Sequence, residues 1–158
     1  MKLRFWLITA GTLLVAAQAG AEQACVDIPT VQVSSLPTHN TEYGGHLTAH
    51  IWGLTPPPGY TQLNRTLFSS SEDYFDAWND LRAQVPQIKC ADHPQLGAEA
   101  ARDTDTQLFS RQCTAANGNG VCTAYNQVQT NRVTFVFRAV NRDGKVIWIL
   151  YTAYPRRV

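Results

Sequence analysis

The chain has 158 residues, of which 44% are hydrophobic and 16% charged, and its formal net charge at pH 7 is +1. This length predicts a single domain. Without Lys2 and Arg4, the basic residues of the N-terminal segment, 11 basic residues face 12 acidic ones, a net charge of about −1. Non-specific binding to nucleic acid depends on a basic surplus, so the composition excludes a charged nucleic-acid groove and leaves only a compact site for such chemistry.

Residues 1–21 are typical of a signal peptide. Lys2 and Arg4 supply the positive start, the apolar run 5–17 is short for a membrane span, and the small residues 19–21 form a cleavage site. No cysteine follows directly, which argues against a lipoprotein anchor. An uncleaved anchor helix is the alternative. We therefore expect a periplasmic or secreted bacterial protein that is free of the membrane after cleavage.

Four cysteines remain in the exported chain, and an even number in an oxidising compartment predicts disulfides. We predict Cys113–Cys122, which closes a short loop, and Cys25–Cys90, which ties the N-terminal arm to the middle of the chain. A zinc site is the alternative. The spacings contain no C-x₂-C pair, so we expect no metal at the cysteines.

The first part of the mature chain predicts an extended arm followed by short helices. Residues 22–42, rich in Pro, Thr and Ser, are predicted to be extended. Apolar residues at helical spacing predict a short helix over 43–53. Gly53 and the Pro56–Gly59 turn end that helix, and a second short helix is predicted over 61–67.

A stronger helix is predicted over 70–84. Ser69 is the expected N-cap of a capping box completed by Glu72, and Pro86 ends the helix. The apolar stripe of this helix consists of Tyr74, Phe75, Trp78 and Leu81.

The C-terminal half changes to a period of two, which indicates strands. Residues 91–105 are predicted to be a loop with a brief helical turn. Strands are predicted over 107–113, 121–129, 132–141 and 145–154. The last two form a hairpin around the turn 141–144. Helices followed by strands predict an α+β fold, with N-terminal short helices packed on a C-terminal antiparallel sheet.

Five polar side chains are candidate catalytic residues. His46 and His50 lie one helical turn apart and share a face of the predicted helix, and histidine is the usual acid–base group near neutral pH. Thr152 and Tyr154 alternate on one strand, so both hydroxyls can bind an anion such as phosphate. Arg65 offers phosphate a forked geometry. The alternatives are partly exposed helix histidines, a solvated arginine and ordinary strand residues.

Other side chains are given structural roles. Trp52, Trp78 and Trp148 are assigned to the core, although an exposed tryptophan would be a base-stacking candidate. The C-terminal pair Arg156-Arg157 is predicted to be a solvated tail. The H-x-x-x-H spacing also occurs at metal sites, but Leu47 stands where the protease signature has Glu, and we expect neither metal nor cofactor.

Together, these motifs resemble the bacterial ribonuclease A-like toxin domains found at the C-terminal ends of contact-dependent growth-inhibition proteins. The resemblance covers most of residues 43–155 and keeps the order of the motifs. The matching stretches are Gly44-Gly-His-Leu-Thr-Ala-His50, Leu63-Asn-Arg65, Phe68-Ser-Ser and Thr152-Ala-Tyr154-Pro155.

The resemblance implies a kidney-shaped ribonuclease A-like domain over 43–158 and metal-independent cleavage of RNA. The reaction would be attack of the 2′-hydroxyl on phosphorus, leaving a 2′,3′-cyclic phosphate. The implied partners are RNA and an immunity or inhibitor protein, and the expected state is a monomer. The implied catalytic residues are His50, His46, Arg65, Thr152 and Tyr154.

The alternative is a non-enzymatic, disulfide-stapled exported module that binds or inhibits another protein. Such a module does not need His50, Arg65 and Tyr154 to lie together. Clustering of these side chains in one cleft favours the enzyme, and scattering favours the binding module.

Overall fold

The computed structural model describes residues 21–157, so the predicted signal peptide lies, except for its last residue, outside the described residues. The strands are β1 (Glu22–Ala24), β2 (Thr66–Phe68), β3 (Lys89–Ala91), β4 (Glu99–Thr104), β5 (Leu108–Ala116), β6 (Cys122–Thr130), β7 (Arg132–Arg142) and β8 (Lys145–Arg156). The helices are α1 (Pro29–Ser34), α2 (Pro37–Asn40) and α3 (Ser71–Ala83), with single 3-10 turns at Cys25–Asp27, Thr41–Tyr43 and Leu47–His50.

The described strands form three antiparallel sheets, in the orders β1-β3, β2-β5-β6 and β4-β7-β8. The predicted α+β class is therefore confirmed, with short helices before most of the strands. The expected single sheet is instead divided, because β4 pairs with β7 and β2 pairs with β5. The hairpin β7–β8 is the predicted one and is the longest pairing of the described fold.

The main core lies between α3 and the β4-β7-β8 sheet. Trp78 of α3 packs on Phe135 and Phe137 of β7, with ring centroids 5.9 and 6.5 Å apart. Burying aromatic rings of this size is the main source of stability in such a core. The helix begins one residue later than predicted, because Ser70, and not Ser69, accepts the capping hydrogen bond from Asp73 N at 3.1 Å.

Both predicted disulfides are present. Cys25–Cys90 joins the chain at the end of β1 to β3, and Cys113–Cys122 links β5 to β6 beside their connecting turn. The structure thus agrees with folding in an oxidising compartment.

The prediction of an extended arm over 22–42 is wrong. Pro29 and Pro37 each stand at the first position of a short helix, where the missing N–H and fixed φ of proline cost nothing. Val31 of α1 is fully buried in the core. The proline content that suggested an extended chain here marks the starts of α1 and α2.

Three other segments differ from prediction. The helix expected over 43–53 is only the 3-10 turn Leu47–His50, because the chain becomes extended at Ile51, which bridges to Phe68. The helix expected over 61–67 is a turn followed by β2, whose backbone pairs with β5. The loop expected over 91–105 contains the edge strand β4, whose charged residues hid its period of two.

Candidate active site

The turn that carries both histidines is fastened to the outer edge of β8. His46 N donates to the carbonyl of Tyr151 at 2.9 Å. The buried side chain of Asn40 donates to the carbonyl of Leu150 at 2.7 Å and accepts from Leu47 N at 2.8 Å. These hydrogen bonds to the carbonyls of Leu150 and Tyr151 therefore fix the position of the turn along the edge of the sheet.

Gly45 makes this attachment possible. A Cβ at this position would lie 2.4 Å from Oδ1 of Asn40, far inside van der Waals contact. Only glycine lets the chain pass this close to the Asn40 amide.

Gln62 holds the other side of the same turn. Its fully buried amide donates to the carbonyls of Thr48, Ile51 and Leu54 at 2.9–3.0 Å, and its Oε1 accepts from Cys122 N at 2.9 Å. One side chain thus connects the histidine turn, the Pro-rich turn and the start of β6. No sequence pattern marked this residue.

His50 lies at the centre of a cluster with Tyr154 and Arg65. Its ring centroid is 5.3 Å from the Tyr154 ring and 5.8 Å from the His46 ring. Arg65 Nη1 lies 3.5 Å from His50 Nε2, while Arg65 Nε donates to the Thr61 carbonyl at 2.6 Å. The structure therefore brings four of the five candidate side chains into one group.

Thr152, the fifth candidate, lies two residues before Tyr154 on β8. Its Oγ1 is buried and has no hydrogen-bond partner among residues 21–157, and the same is true of Nδ1 of His46. Buried polar atoms without partners are rare in folded proteins and require an explanation such as a catalytic role.

The cluster contains three residues that the sequence did not indicate. Tyr60 stacks on His46 at 4.5 Å with an interplanar angle of 12°, and Tyr151 meets the same ring edge-on at 4.6 Å. The two tyrosine hydroxyls are 3.2 Å apart. The guanidinium of Arg138 lies 3.9 Å from the centroid of the Tyr151 ring.

A β-bulge explains why Tyr151 belongs to the site. The pairing of β7 and β8 shifts after Val136, which faces Thr152, so that Tyr151 is an extra residue. Simple alternation would put Tyr151 and Tyr154 on opposite faces of the sheet. The bulge changes the direction in which the side chains of β8 point. As a result Tyr151 contacts His46 and Tyr154 contacts His50.

Both histidines are neutral at pH 7. Burial lowers the pKa of His46 to about 4, with further lowering by the charges of Arg65 and Arg138. Burial, Arg65 and His46 lower the pKa of His50 to about 3, and the Thr66 backbone opposes this only partly. Desolvation and positive neighbours both disfavour imidazolium, so each ring stays neutral and has one nitrogen with a lone pair.

These pKa values predict a loss of stability in mild acid. Histidines of the unfolded chain bind protons below about pH 6.5, but His46 and His50 of the folded protein bind them only near pH 4 and 3. Between these limits the unfolded state holds more protons, so the free energy of unfolding must fall as the pH falls. We expect urea denaturation to give a free energy of unfolding lower by about 5 kcal/mol at pH 4.5 than at pH 7, because each histidine contributes about 1.4 kcal/mol per pH unit over nearly two units.

A variant tests the origin of that loss. His46→Gln removes one of the two groups, so its free energy of unfolding should change less between pH 7 and 4.5 than that of the wild-type protein. Equal stability of the wild-type protein at the two pH values would contradict the assigned pKa shifts.

Carboxylates on this face of the sheet are paired with arginines. Glu99 bonds Arg138, and Asp103 bonds both Arg156 and Thr134. Burial raises the pKa of Asp103, but the Thr134 and Arg156 hydrogen bonds outweigh it, and the pKa is lowered. Arg156 is exposed, as predicted, but it is not part of a tail, because it is the last residue of β8 and its guanidinium is bound by Asp103.

A groove of about 580 Å³ borders the cluster at Tyr60. Its walls are the Pro-rich turn 55–61 and the β5–β6 turn 117–120. Only glycine fits at position 120, because φ is +76° and a Cβ there would lie 2.7 Å from the Tyr60 carbonyl. The Gly120 carbonyl accepts from Gln62 N at 2.8 Å, which joins the two walls.

Within residues 21–157, no group of three or more His, Cys, Asp or Glu side chains is arranged to hold a metal ion. In the same range, no helix has the length and apolar character needed to cross a membrane. The chain matches no protein-family model, no curated protein and no solved structure, so its resemblance to the ribonuclease toxin domains stays a prediction.

Proposed function

We propose that the protein is an endoribonuclease that cleaves RNA through attack of the 2′-hydroxyl on the adjacent phosphorus, leaving a 2′,3′-cyclic phosphate. The observation that carries this proposal is the convergence of His50, Arg65 and Tyr154, which come from three separate segments of the chain. A base, a fixed cation and a hydroxyl donor in one group are the parts that phosphodiester transesterification uses.

His50 is the general base of the proposal. Arg65 Nη1 lies 3.5 Å from His50 Nε2, so this nitrogen carries the lone pair, and Nδ1, which is buried without a hydrogen-bond partner among residues 21–157, carries the hydrogen. The lone pair is released to act as the base when Arg65 turns to the bound phosphate. A neutral imidazole takes the proton of the 2′-hydroxyl as its oxygen forms the bond to phosphorus. Arg65 then stabilises the negative charge that develops on the phosphorane oxygens.

Tyr154 is the proton donor in this scheme. It protonates the 5′-oxygen as the bond from phosphorus to that oxygen breaks, and Thr152 holds a non-bridging oxygen with its otherwise unpaired hydroxyl. His46, held between Tyr60 and Tyr151, orients the substrate. Since both histidines are neutral at pH 7, the acid and the base are of different residue types.

The charge around the cluster favours an anionic substrate. Arg65 and Arg138 are close enough to lower the pKa of His46. A phosphodiester bound between them offsets this positive field. The attraction is local, as expected for a chain without a basic surplus.

The ribonuclease A-like toxin family supplies the wider setting of the proposal. The α+β fold with short helices and antiparallel sheets is compatible with it. The two disulfides suit an exported protein that acts in the periplasm or outside the cell. Within this setting the protein is a monomeric toxin, and an immunity protein protects the producing cell.

A protein-binding or inhibitor module is the competing function. It has no use for two neutral histidines packed against an arginine and three tyrosines. Because the candidate side chains lie together, the enzyme is the better proposal.

Single-stranded RNA tests the proposal directly. The purified protein, incubated with RNA in EDTA, is expected to cut the strand and to leave DNA of the same sequence intact, since DNA lacks the nucleophile. A 2′-O-methyl group on every ribose should abolish cleavage. Cleavage of DNA or of the methylated strand would refute the 2′-hydroxyl mechanism.

A further inference from the structure

Beside the candidate active site, an arginine lies over two aromatic rings that contact each other. The guanidinium carbon of Arg111 lies 4.5 Å from the Trp52 ring centroid and 4.3 Å from that of Tyr125. The two rings contact each other at 4.7 Å. Cation–π contacts fix the direction of a guanidinium without using its hydrogen-bond donors.

Those donors are free. The Arg111 guanidinium makes no hydrogen bond and no ion pair with any residue in the described range 21–157, whereas Arg65 and Arg138 both make such bonds. Five N–H donors are therefore pre-oriented and available to an oxyanion.

Arg111 lies on the same face of the sheet as the candidate active site. Leu67 of β2 faces Arg111 of β5, and the ladder continues through a hydrogen bond of 2.9 Å from Cys113 N to the Arg65 carbonyl. Arg65 and Leu67 are two residues apart, so their side chains point to one side. Arg65 and Arg111 are therefore diagonal neighbours on adjacent strands, and the Cα atoms of such neighbours are about 7–8 Å apart.

The aromatic partners extend this surface. Trp52 follows His50 by two residues, and Ile51 between them points into the core. Trp52 is half-buried over Leu67, whereas Tyr125 is 41% exposed. Proteins that bind single-stranded nucleic acid stack the bases on exposed aromatic rings of this kind, with arginines beside them that contact the backbone.

We propose that Arg111 and Tyr125 form a second substrate subsite, in which Arg111 binds a phosphate next to the scissile one and Tyr125 stacks on the neighbouring base. This inference rests on the proposed ribonuclease function and specifies its substrate as an unpaired RNA strand longer than a dinucleotide. Trp52 is a positioning residue that keeps Arg111 in place.

Acidic residues limit the length of the subsite. Asp73 and Asp76 line the same groove as Arg111 and Tyr125, together with the exposed ring of Phe109. Arg111 neutralises one phosphate and the two carboxylates repel any further one, so the strand contacts one phosphate beyond the scissile one and then leaves the surface.

Non-cleavable probes test the subsite separately from catalysis. The probes are dye-labelled 2′-O-methyl uridine oligomers, a dinucleotide with one phosphate and a tetranucleotide with three, and binding is measured by fluorescence anisotropy. Arg111→Gln is expected to weaken tetranucleotide binding about tenfold and to leave dinucleotide binding unchanged. The slope of log K against log salt should become less steep by about 0.7.

Arg142→Gln is the matched control. Arg142 also lies over a tyrosine ring, 3.8 Å from the centroid of Tyr43, so its replacement removes the same charge and the same kind of contact elsewhere. It should leave binding of both probes unchanged. Arg111→Lys keeps the charge and should keep the salt slope, and Tyr125→Leu should weaken tetranucleotide binding about tenfold.

The outcomes separate this inference from the ribonuclease proposal. The inference is wrong if Arg111→Gln and Arg142→Gln behave alike, or if the dinucleotide loses as much affinity as the tetranucleotide. If the wild-type protein cuts RNA while Arg111→Gln binds the tetranucleotide normally, only the subsite is wrong. If the predicted binding losses occur but RNA is not cut, the subsite stands and the catalytic proposal is wrong. Failure of the wild-type protein to bind the tetranucleotide refutes the subsite, and failure to cut RNA as well refutes both proposals.

Discussion

Replacing His50 with alanine is expected to lower the rate of RNA cleavage by roughly two to four orders of magnitude, the usual contribution of a proton-transfer group. His50 is the ring in contact with both Arg65 and Tyr154, so the proposed base has no substitute at that position. The measurement is the initial rate on a single-stranded RNA in EDTA. The loss should fall mainly on kcat, because His50 acts on the reacting proton.

Two variants control this experiment. His93 is exposed, and His93→Ala should cut RNA at the wild-type rate. Tyr154→Phe keeps the ring that packs on His50 and removes only the hydroxyl, so a slow but folded Tyr154→Phe protein separates catalysis from stability. If His50→Ala cuts RNA at the wild-type rate, the proposed mechanism is wrong.

Replacing Gln62 with alanine is expected to lower the free energy of unfolding by about 3–5 kcal/mol. The change removes four hydrogen bonds of a fully buried side chain. The carbonyls of Thr48 and Ile51 keep their backbone donors, Ile51 N and Leu54 N, whereas the Leu54 carbonyl and the Cys122 N–H lose the amide that binds them. An unpaired buried polar group costs about 1–3 kcal/mol, and the cavity adds to this. Urea denaturation followed by circular dichroism measures the loss.

Gln87→Ala is the matched control for this stability effect. The Gln87 amide also donates to two carbonyls, those of Arg82 and Gln84, but it lies at a partly exposed position after the end of α3, where water can reach those carbonyls, and its Oε1 has no partner to lose among residues 21–157. Its loss should be about 1 kcal/mol or less. If the free energy of unfolding of Gln62→Ala is within about 1 kcal/mol of the wild-type value, the histidine turn, the Pro-rich turn and the start of β6 do not depend on this amide.

Local patterns predicted much of the C-terminal half and the covalent links. The period of two over 132–141 and 145–154 identified β7 and β8 because both strands are long and one face is buried. The predicted signal peptide together with an even number of cysteines led to Cys25–Cys90 and Cys113–Cys122. These features depend on short-range sequence or on simple counting.

Long-range pairing decided the elements that the sequence did not predict. The β2 strand has only three residues and exists because it pairs with β5. The charged residues of β4 are typical of a loop in the sequence, and only the pairing of Glu99 with Arg138 of β7 explains why they form a strand. Pairing of this kind depends on tertiary context, which overrides local propensity.

In the candidate site, too, local sequence identified some residues and long-range pairing determined the others. His46 and His50 were expected to share a helix face, and they are instead neighbours at 5.8 Å on a 3-10 turn attached to β8. The sequence missed Tyr151 because one extra residue in β8 changes the direction of its side chain. The sequence missed Arg138 because its partner ring and its carboxylate come from different strands.

The most direct test of the central claim is the chemical identity of the cut end. A short single-stranded RNA is treated with the wild-type protein in EDTA, and the masses of the products are measured at early times. The account predicts a 2′,3′-cyclic phosphate on one fragment and a free 5′-hydroxyl on the other, because the 2′-oxygen displaces the 5′-oxygen. An intact strand, or fragments with a 5′-phosphate and a 3′-hydroxyl, would contradict it.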